Sequence, residues 1–201
     1  MKNILVFDTE TTGLPTRAGF EKLMPAWDTK SYDSCRVIQL AWCVYGRDGG
    51  LLRRRAVYIK PDGFVVPADS TKVHGITMER LFAEGVPMKL ALRDLGIELA
   101  GAGLVIGHNV RFDVSALASE AWRLGMNDLA AAIEGAPVAC TMRQAKEFCG
   151  ARNQYGVKFP RLAELHVKLF GTEPAVQHDA LADVEATAAC YFKLRGLGVM
   201  F

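Results

Sequence analysis

Asp8-Thr9-Glu10 sets two carboxylates two residues apart at the close of an apolar run, where strand geometry turns both to one side and Thr9 to the other. Held close together in partial burial, two such groups repel, and each resists ionisation unless a cation or a donor compensates. A lone D-x-E at a strand end reads first as a pair of surface charges, and two further signals change that reading. Asp113 falls in the first turn of a helix that opens after Gly107-His108-Asn109, a place where the helix dipole also favours an acid. Gln177-His178-Asp179-Ala180-Leu181-Ala182-Asp183 adds an imidazole and a further carboxylate. Five helical residues turn through about 500°, so His178 and Asp183 share a site only if His178 lies on the lead-in and Asp183 on the helix. Asp8, Glu10, Asp113 and Asp183 form an all-oxygen set suited to Mg²⁺ or Mn²⁺. Two such ions about 4 Å apart would clamp a phosphodiester, one generating hydroxide and the other stabilising the leaving oxygen. His178, whose ordinary pKa lies close to neutrality, suits removal of the proton from the attacking water.

Positioning these groups requires strands and helices in a definite order. Residues 2 to 7 read as a buried strand ending at Asp8, and residues 11 to 34 as a long connection containing Gly13, Pro15, Gly19 and Pro25. Two β-rich runs, 37 to 45 and 51 to 59, flank Asp48-Gly49-Gly50, a hairpin signal. The stretch 67 to 101 is helical in pattern, with breaks at Gly75, Gly85 and Pro87. Leu104-Val105-Ile106 gives a fourth strand; Val110, Val114, Leu117, Ala121 and Leu124 then mark one helix face closed by Gly125. A short strand over 138 to 140 precedes a helix from about residue 141, a loop, a helix over 160 to 170 and a last helix over 179 to 195 striped by Leu181, Val184, Ala188 and Tyr191. Strands with a hairpin first, and helices alternating with strands after, predict an α/β fold with a mixed sheet flanked by helices.

The 201 residues suit one domain, and 50% hydrophobic with 23% charged residues excludes a disordered or low-complexity chain. No apolar run reaches the length of a membrane span, and the start lacks a secretory signal, so a soluble, cytoplasmic protein with no membrane partner is expected. Five cysteines, never closer than eight residues and without C-x2-C spacing, predict neither a disulfide framework nor a zinc site. A net charge of +2 says little by itself, but four of the acids are assigned to metal, leaving the remainder of the chain more basic. Two basic clusters stand out. One holds Arg47, Arg53, Arg54, Arg55 and Lys60; the other holds Arg143, Lys146, Arg152, Lys158, Arg161 and Lys168. The second could track phosphates, whereas Arg53-Arg54-Arg55 reads equally as a strand edge protected by charge.

Three segments, Asp8-Thr9-Glu10-Thr11-Thr12-Gly13-Leu14, Gly107-His108-Asn109-x-x-Phe112-Asp113 and His178-Asp179-Ala180-x-x-Asp183, resemble the motifs of the DEDDh branch of the DnaQ-like 3′→5′ exonucleases, in order and spacing, across residues 4 to 194. The resemblance implies a ribonuclease H-like fold, with a five-stranded sheet of three antiparallel strands followed by parallel ones. It also implies a single exonuclease domain over 1–201 and two-metal removal of 3′-terminal nucleotides as 5′-monophosphates. Carried onto this sequence, Asp8, Glu10 and Asp183 ligate metal, Asp113 is a ligand or orders a water at the metal, and His178 is the general base. Thr11 would meet the terminal 3′ hydroxyl, Leu14 and Phe112 would pack on the last base or sugar, and His74 and Asn109 would line the site. For His74 a hydrogen-bonded structural role, and for Asn109 a helix N-cap role, stand as alternatives.

The sequence departs from the proofreading subunits of replicative polymerases in an inserted loop at about 15–34 carrying Phe20, Met24, Trp27 and Tyr32. These aromatics either stack bases or, as the favoured reading, pin the loop to the body. The chain also stops 18 residues after Asp183, which favours a free-standing enzyme over a proofreading subunit. The expected substrate is single-stranded or frayed DNA with a 3′ end. An exoribonuclease is the alternative, since no motif reports a 2′-hydroxyl contact. A catalytically silent nucleic-acid-binding module is disfavoured by the intact acids and His178, and a homodimer is possible through an apolar patch near the C-terminus.

Overall fold

A computed structural model describes residues 2–19, 22–176 and 179–200. Its central sheet has the order β5-β4-β1-β6-β7, with β1 (Asn3–Thr11), β4 (Val37–Tyr45), β5 (Leu51–Tyr58), β6 (Ala102–Gly107) and β7 (Val138–Cys140). β5, β4 and β1 are antiparallel neighbours, and β6 and β7 continue from β1 in parallel. The mixed ribonuclease H-like sheet is as expected. β2 (Arg17–Gly19) and β3 (Lys22–Leu23) form a small ribbon in the inserted segment, as do β8 (Arg152–Asn153) and β9 (Gly156–Val157) before the last two helices.

Alternation along the central strands sorts the core into two layers. Leu5 and Phe7 of β1, with Leu40 and Trp42 of β4, face α3 (Met88–Gly101), α4 (Val110–Arg123) and α5 (Asn127–Glu134). Ile4 and Val6, with Ala41 and Cys43, face α8 (Leu162–Phe170) and α9 (Ala180–Gly196). On that second face Ala41, Ala180 and Ala188 are small, so α9 lies close against the sheet and brings its first turn to β1. The expected stripe of α9 is present: Val184, Ala188 and Tyr191 are buried, and Leu181 packs at its margin. Val199 and Met200 fold back onto this layer through backbone bonds to Leu194, and Met200 is buried in it.

Several boundaries differ from the sequence reading. β1 runs on to Thr11, so Asp8 and Glu10 lie within the strand, because antiparallel pairing with β4 continues through Glu10 opposite Gln39. The helical stretch 67 to 101 divides into α1 (Ala68–His74), α2 (Met78–Glu84) and α3, interrupted at left-handed Gly75 and again at Gly85-Val86-Pro87. α5 leaves no clear pattern in the sequence because its run Asn127–Glu134 is only eight residues long and follows the Gly125 break directly. α4 ends one residue earlier than its apolar face suggested, with Leu124 at the cap and Gly125 supplying the left-handed turn beyond it. The helix expected from residue 141 is two short ones, α6 (Thr141–Gln144) and α7 (Lys146–Cys149), and α8 starts at Leu162.

The inserted segment is pinned to the body. Tyr32, buried at the end of a short 3₁₀ turn (Thr29–Tyr32), donates its hydroxyl to the Met24 carbonyl at 2.6 Å, and Met24 packs on the core. Arg123 of α4 donates to the Thr29 carbonyl and pairs with Asp33. Trp27 is 66% exposed, so it does not share this anchoring role. Phe20 lies outside the described residues.

Candidate metal centre

The parallel pairing of β1 with β6 ends at Val6 and Ile106, so from Asp8 onward β1 has a strand partner on its β4 side only. The chain leaving β6 turns at Gly107-His108-Asn109 and enters α4, whose first turn covers this open flank. Asn109 occupies the N-cap position with φ 75, a left-handed conformation that asparagine tolerates, and its side chain makes no capping bond. The alternative reading of Asn109 as the helix N-cap thus holds for its position, without a side-chain capping bond. Three residues into α4 from Val110, the buried Asp113 accepts from the Thr9 hydroxyl at 2.8 Å and the Thr9 amide at 3.2 Å. Thr9 does face away from its carboxylate neighbours, but it is a working part of the site: it satisfies an amide that β6 leaves bare and fixes Asp113.

On the opposite face, Asp8 and Glu10 meet Asp183 from the first turn of α9. One carboxylate oxygen from each of the three lies within 4.8 Å of the others. The start of α9 is held by Asp179, whose Oδ1 accepts from the amides of Leu181 and Ala182. Gln39, buried in β4 opposite Glu10, donates through Nε2 to Asp179 Oδ2 at 3.0 Å and accepts from the Ala180 amide at 3.1 Å. This amide clamp sets the height of α9 over the sheet and with it the place of Asp183. Neither Gln39 nor Asp179 was singled out by sequence reasoning. The available signals were a lone amide inside the apolar run Val37–Tyr45 and an Asp in the position expected of a helix cap. His178, the expected general base, lies outside the described residues and adjoins Asp179 in the chain.

The electrostatics are those of a cluster deprived of counter-charge. Burial, followed by repulsion from Asp113, Asp183, Glu10 and Asp179, raises Asp8 well above the usual carboxylate range. Burial first and then Asp183 push Glu10 up to about 7. Burial also raises Asp113 to about 7, against the lowering effect of its Thr9 hydrogen bonds. Hard oxygen donors on three side chains, with Asp8 and Glu10 penalised for ionising, fit a divalent cation, which would remove both the repulsion and the proton. Asp113 stands outside the three-oxygen cluster, held toward Thr9.

His108 bridges the turn before α4 to the far wall. Its Nε2 meets the Pro160 carbonyl at 3.0 Å and its Nδ1 the Thr141 hydroxyl at 2.9 Å. A carbonyl only accepts, so Nε2 carries the proton and Nδ1 accepts from Thr141. Burial lowers His108 to about 4, which keeps this neutral arrangement across the physiological range. Asp183 lines a cleft of about 470 Å³ with His108, Met142, Phe159 and Pro160. Asn109 and Phe112 line an adjoining groove that shares Met142 and Phe159 with it. Thr11, Leu14 and His74 line neither. The Thr11 hydroxyl donates to the Gly13 carbonyl, Leu14 is 62% exposed, and His74 Nδ1 accepts from the Ile76 amide, in keeping with a structural role at the end of α1. The α1 helix is itself tied to the first motif by a bond from Ser70 to the Thr12 carbonyl.

Of the two basic clusters, the one on β5 is an edge device. Arg53 and Arg55 reach Glu98 and Asp94 on α3, while Arg54 turns to Glu185 on α9, as period-two alternation requires. In the second cluster Arg143 and Lys146 sit over the Phe159 ring, and Lys158 pairs with Glu164. Among the described residues all five cysteines are free, and no helix is long and apolar enough to cross a membrane.

The family model described as Exonuclease (RNase_T) matches residues 5–191. No curated protein matches the chain. Among solved structures, Escherichia coli Exonuclease I in complex with a dA16 oligonucleotide is similar at 21% identity and a TM-score of 0.69, covering 98% of this chain and 41% of that one. A moderately thermophilic Exonuclease I from Methylocaldum szegediense is similar at 20% identity and a TM-score of 0.72, over 98% of this chain and 41% of that one. At such identities the likeness is one of fold, and the chain spans less than half the length of these structures.

Proposed function

The chain belongs to the exonuclease family whose model matches residues 5–191, and from that premise we propose that it removes nucleotides stepwise from the 3′ end of single-stranded DNA as 5′-monophosphates. The observation that carries this reading is the gathering of one carboxylate oxygen each from Asp8, Glu10 and Asp183 within 4.8 Å of one another beside the start of α9, with Asp113 held on the other face by Thr9. Escherichia coli Exonuclease I, whose fold this chain shares, is described in complex with a DNA oligonucleotide, which supports a single DNA strand as substrate.

In this reading Asp8, Glu10 and Asp183 hold two divalent cations, Mg²⁺ or Mn²⁺, and Asp113 completes the set as a ligand or through a water. Bound there, the cations supply Lewis-acid polarisation of the scissile phosphate and offset charge on the leaving 3′ oxygen. The protein's own residues do the rest. Asp113 is kept in one rotamer by its two bonds from Thr9, so its free oxygen has a fixed direction. Gln39 and Asp179 fix the start of α9, and His178, one residue before Asp179, takes the proton from the attacking water. The P–O3′ bond of the penultimate nucleotide then breaks, and the terminal nucleotide leaves as a monophosphate. Thr11, Leu14, Asn109 and Phe112 contact the terminal nucleotide, His74 keeps its structural role at the end of α1, and residues 1–201 act as one exonuclease domain.

The test is a comparison of 5′-labelled DNA and RNA single strands of one sequence, incubated with purified protein and Mg²⁺ or Mn²⁺. A ladder shortening from the 3′ end, faster on DNA, is expected, and Asp8→Ala removes it while the circular-dichroism spectrum is retained. Intact substrate after prolonged incubation with folded protein would refute the assignment, and faster shortening of RNA would reassign the substrate.

A further inference from the structure

The inserted segment does more than lie against the body: with α4 it walls a groove of about 600 Å³. One wall is Arg17, Lys22, Leu23 and Met24 from the β2–β3 ribbon and its continuation. The other is Arg111, Phe112 and Ser115 from α4, and Arg143 over the Phe159 ring lines it as well. Arg17, Lys22 and Arg111 are exposed, and unlike the β5 arginines none of the three is paired with an acid among the described residues. Glu134, the one acid lining the groove among the described residues, accepts from the Trp122 indole. Met142 and Phe159 line both the groove and the cleft that holds Asp183, so the two adjoin. Cations along the walls with aromatic and aliphatic surface between them is the arrangement that takes a single strand, phosphates outward to the cations and bases against apolar rings.

We propose that this groove binds the phosphates of the nucleotides immediately 5′ of the one being removed, so that Arg17 and Lys22 of the inserted ribbon and Arg111 of α4 set how strongly the enzyme holds strands longer than a dinucleotide. The proposal rests on the exonuclease reading above and deepens it. It accounts for three otherwise unexplained features. The insert is anchored at Tyr32, Asp33 and Thr29 as a wall would need to be. Its cations Arg17 and Lys22 line the groove opposite α4 and, among the described residues, meet no acid. Arg111 is a solvated cation one residue before Phe112 on the face of α4 turned away from Asp113.

The experiment measures binding without turnover, using Ca²⁺ in place of the catalytic ion and fluorescein-labelled oligothymidylates, a dinucleotide and an octamer, across a salt series. Wild-type protein should hold the octamer at least tenfold more tightly than the dinucleotide. Its log-affinity should fall more steeply with log salt for the octamer, by about 0.7 for each additional phosphate neutralised. The double variant Arg17→Glu/Lys22→Glu, and separately Arg111→Glu, should lose most of that length advantage and flatten the salt slope, while the dinucleotide affinity shifts less than about twofold. All substituted positions are exposed, and unchanged melting temperatures check the fold. The groove assignment is overturned if the wild type binds both lengths alike, or if the variants weaken both lengths equally. Failure of the wild type to bind any oligothymidylate would instead remove the exonuclease reading on which it stands.

Discussion

Replacing Glu10 with Gln should make the metal-free protein more stable above neutral pH and leave it unchanged in acid. In the folded chain Glu10 takes up its proton at about 7, whereas in the unfolded chain it does so near 4.5, so between these values the folded state holds a proton that the unfolded state has released. The stability contributed by that proton is fully present below about 4.5 and is lost as pH rises through about 7. An offset of this size corresponds to roughly 3 kcal/mol against the ionised form, and the partial exposure of the side chain reduces it to about 1–2 kcal/mol in practice. Gln carries the same volume and no charge, so in EDTA the variant should melt higher than wild type by about 2–8 °C at pH 8 and by nothing measurable at pH 4. With Mg²⁺ or Mn²⁺ the order should reverse, because the cation compensates the wild-type cluster and the variant has lost a ligand. Scanning calorimetry or thermal shift at the two pH values, with and without metal, reads all four conditions. A variant that melts at or below wild type at pH 8 in EDTA, or one with the same offset at both pH values, would refute the view that these carboxylates form a strained cluster awaiting a cation.

Four other outcomes follow from the same geometry. His178→Ala should slow chemistry by roughly 10² to 10⁴ while calorimetric Mn²⁺ binding stays near wild type; an unchanged single-turnover rate would remove His178 as the base. Gln39→Leu leaves Asp179 Oδ2 and the Ala180 amide without their partner, so it should cost about 1–3 kcal/mol of stability and weaken Mn²⁺ binding on the order of tenfold, with Gln39→Glu failing to rescue because it faces Asp179 with a second carboxylate. Glu120→Ala strands Arg36, 12% exposed and bonded to Glu120 at 2.7 Å, and denaturant unfolding should register a loss of about 3 kcal/mol or more. Neutralising Arg53, Arg54 and Arg55 together should leave oligonucleotide affinity within about twofold, since each already meets an acid, whereas a large loss would return the β5 edge to the substrate path.

Residue type and spacing made the four carboxylates and the mixed sheet legible, because period-two and period-3.6 patterns are local and because a hard-cation site needs oxygen donors in one place. Val184, Ala188 and Tyr191 reported the buried face of α9 for the same reason. Less was legible wherever a residue's role depends on a partner far along the chain. The basic run on β5 and the one around residue 143 look alike as sequence. Only packing tells them apart: Arg53, Arg54 and Arg55 meet acids on α3 and α9, whereas in the second run Lys158 and Arg161 meet Glu164 and Arg143 lines the groove over Phe159. The aromatic residues of the insert divide in the same way: Tyr32 is an anchor and Trp27 is exposed, although both lie in one stretch between Pro15 and Ser34.

By itself the sequence determined the chemistry available to this protein, since donor type, charge and the order of the motifs are properties of the chain before it folds. The tertiary structure alone decided which groups enforce it. Thr9 holds Asp113 across 104 residues and Gln39 holds Asp179 across 140, because β6 stops pairing at Val6 and α9 settles on a patch of alanines. Hydrogen bonds between such distant positions leave no periodic trace, and only the meeting of two layers at the open end of β1 brings them within reach.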